Sequence, residues 1–159
     1  ICPPRPPQIA LSPLLSSLRP DLLTSSAELA HRRKLFITTV DRVPGWSVVS
    51  TGGFFAYVQF PDHYLTAGSV LGLKRKRLGS EDVARVMAVQ CGVICLPGSF
   101  FMPRVADDEA WNQVMGGEVL REDKWLRFAV ANVEDEVVLQ LGPRLKQMNE
   151  FMGMAGEEG

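Results

Sequence analysis

The sequence predicts an α+β fold, a small mixed or antiparallel sheet with helices packed against it. Three observations point there. Short runs rich in β-branched and aromatic residues, at 46–50, 54–60, 93–96 and 125–130, lie between Gly and Pro punctuation. Apolar residues spaced by three and four mark helices before, between and after these runs. The Gly52-Gly53 pair joins the first two runs at the distance of a tight hairpin, which makes at least part of the sheet antiparallel. A chain of 159 residues with 46% apolar and 22% charged residues is long enough to bury a core. Its net charge of -1 argues against a general nucleic-acid or anionic-membrane binder. No apolar run approaches the roughly 20 residues that span a bilayer.

Along the chain, six of the 11 prolines fall in the first 20 residues. Pro3, Pro4, Pro6 and Pro7 speak against helix and for extended polyproline geometry, so residues 1–26 are expected to be a disordered tail. The first helix is expected from Ser26-Ala27-Glu28, with Leu29, Leu35, Phe36 and Val40 inward and His31 to Lys34 on wetter faces. Pro44-Gly45 stops it. The hairpin follows and ends at Pro61. Residues 61–79 are irregular and contain the tetrad Lys74-Arg75-Lys76-Arg77, expected as a solvated loop. Ser80 reads as an N-cap, with Glu81 and Asp82 at the positive end of the helix dipole. That helix ends near Cys91-Gly92, and the strand at 93–96 is stopped by Pro97-Gly98. Residues 104–124 read as loop with a short helix near 107–115. After the last strand, Asn132 caps a final helix whose inward positions are Val133, Val137, Val138, Leu141, Leu145, Met148 and Phe151, kinked at Pro143. Residues 153–159 are expected to fray.

Little catalytic chemistry is visible. Cys2, Cys91 and Cys95 make no disulfide framework, which fits a reducing, cytoplasmic setting. Neither His31 nor His63 stands at ligand spacing from the cysteines, so no metal is expected. There is no G-x-S-x-G elbow, Walker loop or G-x-G-x-x-G. Arg127 is the informative residue. It lies inside the apolar run 125–130, and alternation separates it from Leu126, Phe128 and Val130. A guanidinium in such a strand needs a partner. Either an internal carboxylate meets it, or it clamps a planar anion from outside.

Several segments together resemble a known family. In order they are Pro44-Gly45-Trp46, Gly52-Gly53-Phe54-Phe55-Ala56-Tyr57-Val58, Gly92-Val93-Ile94-Cys95-Leu96-Pro97-Gly98-Ser99-Phe100-Phe101, Arg127-Phe128-Ala129-Val130-Ala131-Asn132 and Arg144-Leu145. The set is similar to the C-terminal small domain of class I/II, fold type I, pyridoxal-phosphate-dependent aminotransferases, over roughly residues 28–152. The resemblance implies that 27–152 is such a small domain and that Arg127 binds the substrate α-carboxylate. It implies pyridoxal 5'-phosphate as cofactor of the whole enzyme, a large domain carrying the Schiff-base lysine, a homodimer, and neither nucleic-acid nor membrane partners. Lys34, Lys74, Lys76, Lys124 and Lys146 do not match the Schiff-base motif, so this chain alone is expected neither to hold the cofactor nor to transaminate. The proline cluster then reads as the edge of a truncation, and Trp46, Phe100 and Phe101 as an exposed interface. A second reading is a non-catalytic interaction module using PPRPP or the basic tetrad.

Overall fold

The computed structural model describes residues 4–50, 53–66, 78–101, 123–131 and 134–154. The elements are α1 (Arg5–Leu11), a 3-10 turn (Ser12–Leu14), α2 (Leu15–Asp41), β1 (Ser47–Val48), β2 (Phe55–Gln59), a 3-10 turn (Asp62–Thr66), α3 (Ser80–Val86), β3 (Leu96–Pro97), β4 (Trp125–Ala129) and α4 (Asp135–Met154). The four strands form one sheet in the order β1-β2-β4-β3, every pair antiparallel. The fold is α+β, as the residue pattern predicts.

Alternation sets which face is buried. Ala56, Val58, Leu126, Phe128 and Val130 turn to one side and share a core with Phe36 and Val40 of α2, Val83 and Val86 of α3, and Leu145 and Met148 of α4. The helices therefore cover one face of the sheet. Phe55, Tyr57, Leu96, Arg127 and Ala129 turn to the other face, where none of them is fully buried. The β1–β2 pair has the expected hairpin register, Ser47 opposite Gln59 and Val48 opposite Val58, and Gly53 takes a φ of 76° in its turn.

Six expectations need correction. The third strand is Leu96–Pro97 rather than a run over 93–96 stopped by Pro97, and Ile94 is 88% exposed. Val137 of the final helix is exposed rather than inward. Residues 5–24 are helical rather than extended. Pro4 is the N-cap of α1, and Pro6 and Pro7 occupy its first turn, where a missing N–H breaks no hydrogen bond and the fixed φ suits a helix. The segment is helical yet makes no buried contact. An extended proline ligand is thus not the form that Pro4 to Pro7 take. Ser80 is the first residue of α3 rather than its cap. The N-cap is Gly79, whose N–H donates to Asp82 Oδ2 at 3.3 Å, while the Ser80 N–H donates to Asp123 Oδ2 at 2.9 Å. Trp46 is buried, with 3% of its surface exposed. Arg32 and Arg33 are ties rather than solvated charges. Arg32 donates to the Ala131 carbonyl at 2.6 Å and faces Asp135, while Arg33 donates to the Gly53 and Ser50 carbonyls at 2.7 and 3.3 Å. The basic tetrad, the 107–115 helix, the Asn132 cap, Val133 and Cys2 lie outside the described residues.

The last turn of the α3 helix widens into a π-type turn, Met87–Cys91, closing on Gly92. Arg144 of α4 donates to the carbonyls of Cys91 and Gly92, at 2.7 and 3.1 Å. A cation at a helix C-terminus satisfies carbonyls that have no partner within the helix. The helix α4 itself runs unbroken through Pro143, which is exposed. No described helix is long and apolar enough to cross a membrane.

Candidate functional site

The candidate site is the sheet face around Arg127. Arg127 sits mid-strand on β4, opposite Tyr57 of β2 and Leu96 of β3. Tyr57 and Arg127 are a non-hydrogen-bonded pair of the β2–β4 ladder, whose bonds run through pairs such as Phe54–Val130 and Phe60–Lys124, so their facing side chains come close. Phe55, two residues from Tyr57, is its diagonal neighbour across the β2–β4 pair, within reach of a long side chain. Phe101 follows the short 3-10 turn after β3 and packs edge-on against Tyr57, with ring centroids 6.3 Å apart.

The guanidinium lies between two rings. Its Cζ is 4.2 Å from the Phe55 ring centroid and 3.7 Å from that of Phe101. Both rings present their faces to the cation. Cation–π stacking of this kind contributes roughly 0.5–2 kcal/mol per contact and replaces water on the guanidinium faces. Among the described residues no carboxylate forms an ion pair with Arg127. Among the described residues it is the two rings, rather than a carboxylate, that pack this cation, and a planar anion is the kind of partner its edge donors suit.

Residue parity offered a sign of the flanking rings. Phe55 and Tyr57 alternate with buried Ala56 and Val58, so two aromatics stand together on the hairpin's uncovered side. Phe101, in a loop 26 residues before Arg127, gave no comparable signal. Phe54, which by parity shares the side of Ala56 and Val58, and Phe100, in the turn before Phe101, are each more than 60% exposed. Phe100 and Phe101 are exposed, as expected of them, whereas Trp46 is not.

The cysteines are not a reactive pair. Cys91 is buried beside Met148, its Sγ 3.9 Å from the Met148 Sδ. Burial raises its pKa, with the charge of Arg144 acting in the opposite direction. Burial pushes Cys95 up to about 12, and it also raises Tyr64 above the usual tyrosine range. High pKa values disfavour the thiolate, the form that attacks or ligates. No group of three or more His, Cys, Asp or Glu suited to a metal ion occurs among the described residues.

These shifts predict an alkaline loss of stability. A raised folded-state pKa favours folding while the unfolded group stays protonated, and the contribution disappears as pH climbs through the folded value. Stability should hold to about pH 8.5, where unfolded thiols begin to ionise, and fall progressively toward pH 12. Urea unfolding at pH 7.5 and 10.5 should show a lower midpoint at the higher pH. Cys95→Ala should shrink that difference.

The fold and the site define an α+β domain whose sheet carries an aromatic-packed arginine on the face turned away from the described helices. No family model matches the chain, and no curated protein matches it. Among solved structures, it is similar to the aspartate aminotransferase from Rhizobium meliloti, with 17% identity and a TM-score of 0.45. That match covers 81% of this chain and 25% of the other, so this chain spans about a quarter of that enzyme's length.

Proposed function

We propose that residues 27–152 are the C-terminal small domain of a pyridoxal-phosphate-dependent aminotransferase and that Arg127 binds the α-carboxylate of its amino-acid or 2-oxo-acid substrate. The observation that carries this reading is the state of Arg127, a strand-centred guanidinium packed against two rings and without a carboxylate partner among the described residues. It coincides with the ordered motif set that runs from the Gly-rich hairpin to Arg144-Leu145.

The described residues do not by themselves fit the cofactor. A Schiff base needs a free amine near the substrate. Lys124 is ion-paired with Asp62 at 3.1 Å, Lys34 lines a shallow groove beside Leu29 and Ile37 on α2, and Lys146 is exposed on α4. In this reading the electron sink and its lysine belong to a large domain, the whole enzyme is a homodimer, and this chain supplies substrate orientation. No chemical step is assigned to the chain alone.

The transcript tests the reading. Continuous coding sequence upstream of the codon for Ile1 should specify a large domain with a Schiff-base lysine. An in-frame stop adjoining that codon in the mature transcript would overturn it.

A further inference from the structure

The two rings do more than fill space, and the reasoning rests on the carboxylate-binding reading of Arg127. A bare guanidinium accepts anions over its faces as well as at its edges. Here Cζ lies over the Phe55 and Phe101 rings, 4.2 and 3.7 Å from their centroids, and a planar guanidinium stacks by preference on an aromatic face, which would cover its own faces. An anion can then approach only along the edge, in the plane of the cation. A carboxylate is planar. It can lie in that plane and take two parallel hydrogen bonds. A tetrahedral oxyanion placing two oxygens in the same plane must drive its remaining substituents toward the rings on either side.

We propose that Phe55 and Phe101 are positioning residues that make the Arg127 site select planar carboxylates over tetrahedral oxyanions of equal charge. Three features suit them to it. They come from different parts of the chain, β2 and the turn after β3, so neither follows the other passively. Phe101 is braced by Tyr57, which is itself opposite Arg127 in the β2–β4 ladder. Both rings are also more than one-third exposed, so neither is needed to complete the core on the far side of the sheet.

The test uses the full chain, acetate and methanesulfonate. These monoanions both carry a methyl group and differ chiefly in the geometry of the charged head. Each is titrated at constant ionic strength while the Arg127 Nε–Hε signal is followed by proton–nitrogen NMR, that signal being assigned by its absence in Arg127→Leu. Wild-type protein should prefer acetate by roughly tenfold, the scale of one well-made charged hydrogen-bond pair. The Phe55→Leu/Phe101→Leu double variant should lose most of that preference while its backbone amide spectrum stays native. Phe55→Tyr and Phe101→Tyr, which keep the rings, should retain it. A merely structural role would move stability but not the ratio of the two affinities.

A double variant that keeps the wild-type ratio would overturn the proposal, as would a wild-type protein that binds both anions equally. Failure of the underlying reading looks different. In that case wild-type protein shows no acetate-dependent shift of the Arg127 signal at all.

Discussion

Asn149→Ala should destabilise the domain by about 2–5 kcal/mol, because two buried donors lose their common acceptor. Asn149 Oδ1 accepts from the Trp46 indole N–H at 2.9 Å and from the Tyr64 hydroxyl at 2.5 Å, while its Nδ2 donates to the Pro44 carbonyl at 3.0 Å. Trp46 and Tyr64 are almost wholly buried, and their rings pack edge to face, 5.8 Å apart. Neither donor can turn to water without opening the core. Tyr64→Phe is the informative contrast, since it removes one donor and leaves the acceptor engaged by Trp46, at a cost nearer 1 kcal/mol. Urea unfolding of both single variants and of the double variant checks the argument. In the double variant the penalties should fall short of their sum, because a missing hydroxyl cannot be orphaned. Purely additive penalties would mean that Tyr64 and Asn149 act separately.

That hub also marks where sequence reading loses sight of the fold. The elements were legible because each follows a local period. Ala56, Val58 and Phe60 alternate inward, and Val138, Leu141, Leu145 and Met148 recur on one helical face. Asn149 follows a buried methionine on a helix, where period alone places a polar residue toward water. Its partners are 85 and 103 residues away. Nothing local records such a pairing, and the resemblance to a small domain placed Trp46 at an interface instead. The amino-terminal error has another cause. Proline was weighed by number rather than by place, and Pro6 and Pro7 stand in the one helical turn that tolerates them. For Arg127 the sequence set the strand, the face and the need for a partner. It did not set the partner, because the rings that flank the cation arrive from a neighbouring strand and a loop.

Gly98→Val should cost about 3 kcal/mol, the upper part of the range for forced overpacking, and should disturb the Arg127 site as well. A Cβ at residue 98 would stand 2.6 Å from the Trp125 carbonyl oxygen and 2.8 Å from the Trp125 Cβ. Those atoms belong to the first residue of β4, so relief requires moving a strand rather than rotating a side chain. The adjacent pairing is short, with Leu96 opposite Arg127 and Pro97 opposite Leu126, and it has little to resist the displacement. The Phe101 N–H donates to the Gly98 carbonyl at 2.9 Å, so the turn that carries one flanking ring starts at the residue being pushed. Loss of β3 pairing and loosening of Phe101 from Arg127 should therefore appear together. Gly53→Ala separates this effect from glycine's other use. Gly53 has a positive φ of 76° but no atom within 4 Å of a built Cβ, so its substitution should cost only about 1–2 kcal/mol of backbone strain. It should also leave the Arg127 signal in place. A Gly98→Val protein with a wild-type melting temperature and an unshifted Arg127 Nε–Hε resonance would mean that β3 slides freely over Trp125, and the close approach would then be no constraint on the site.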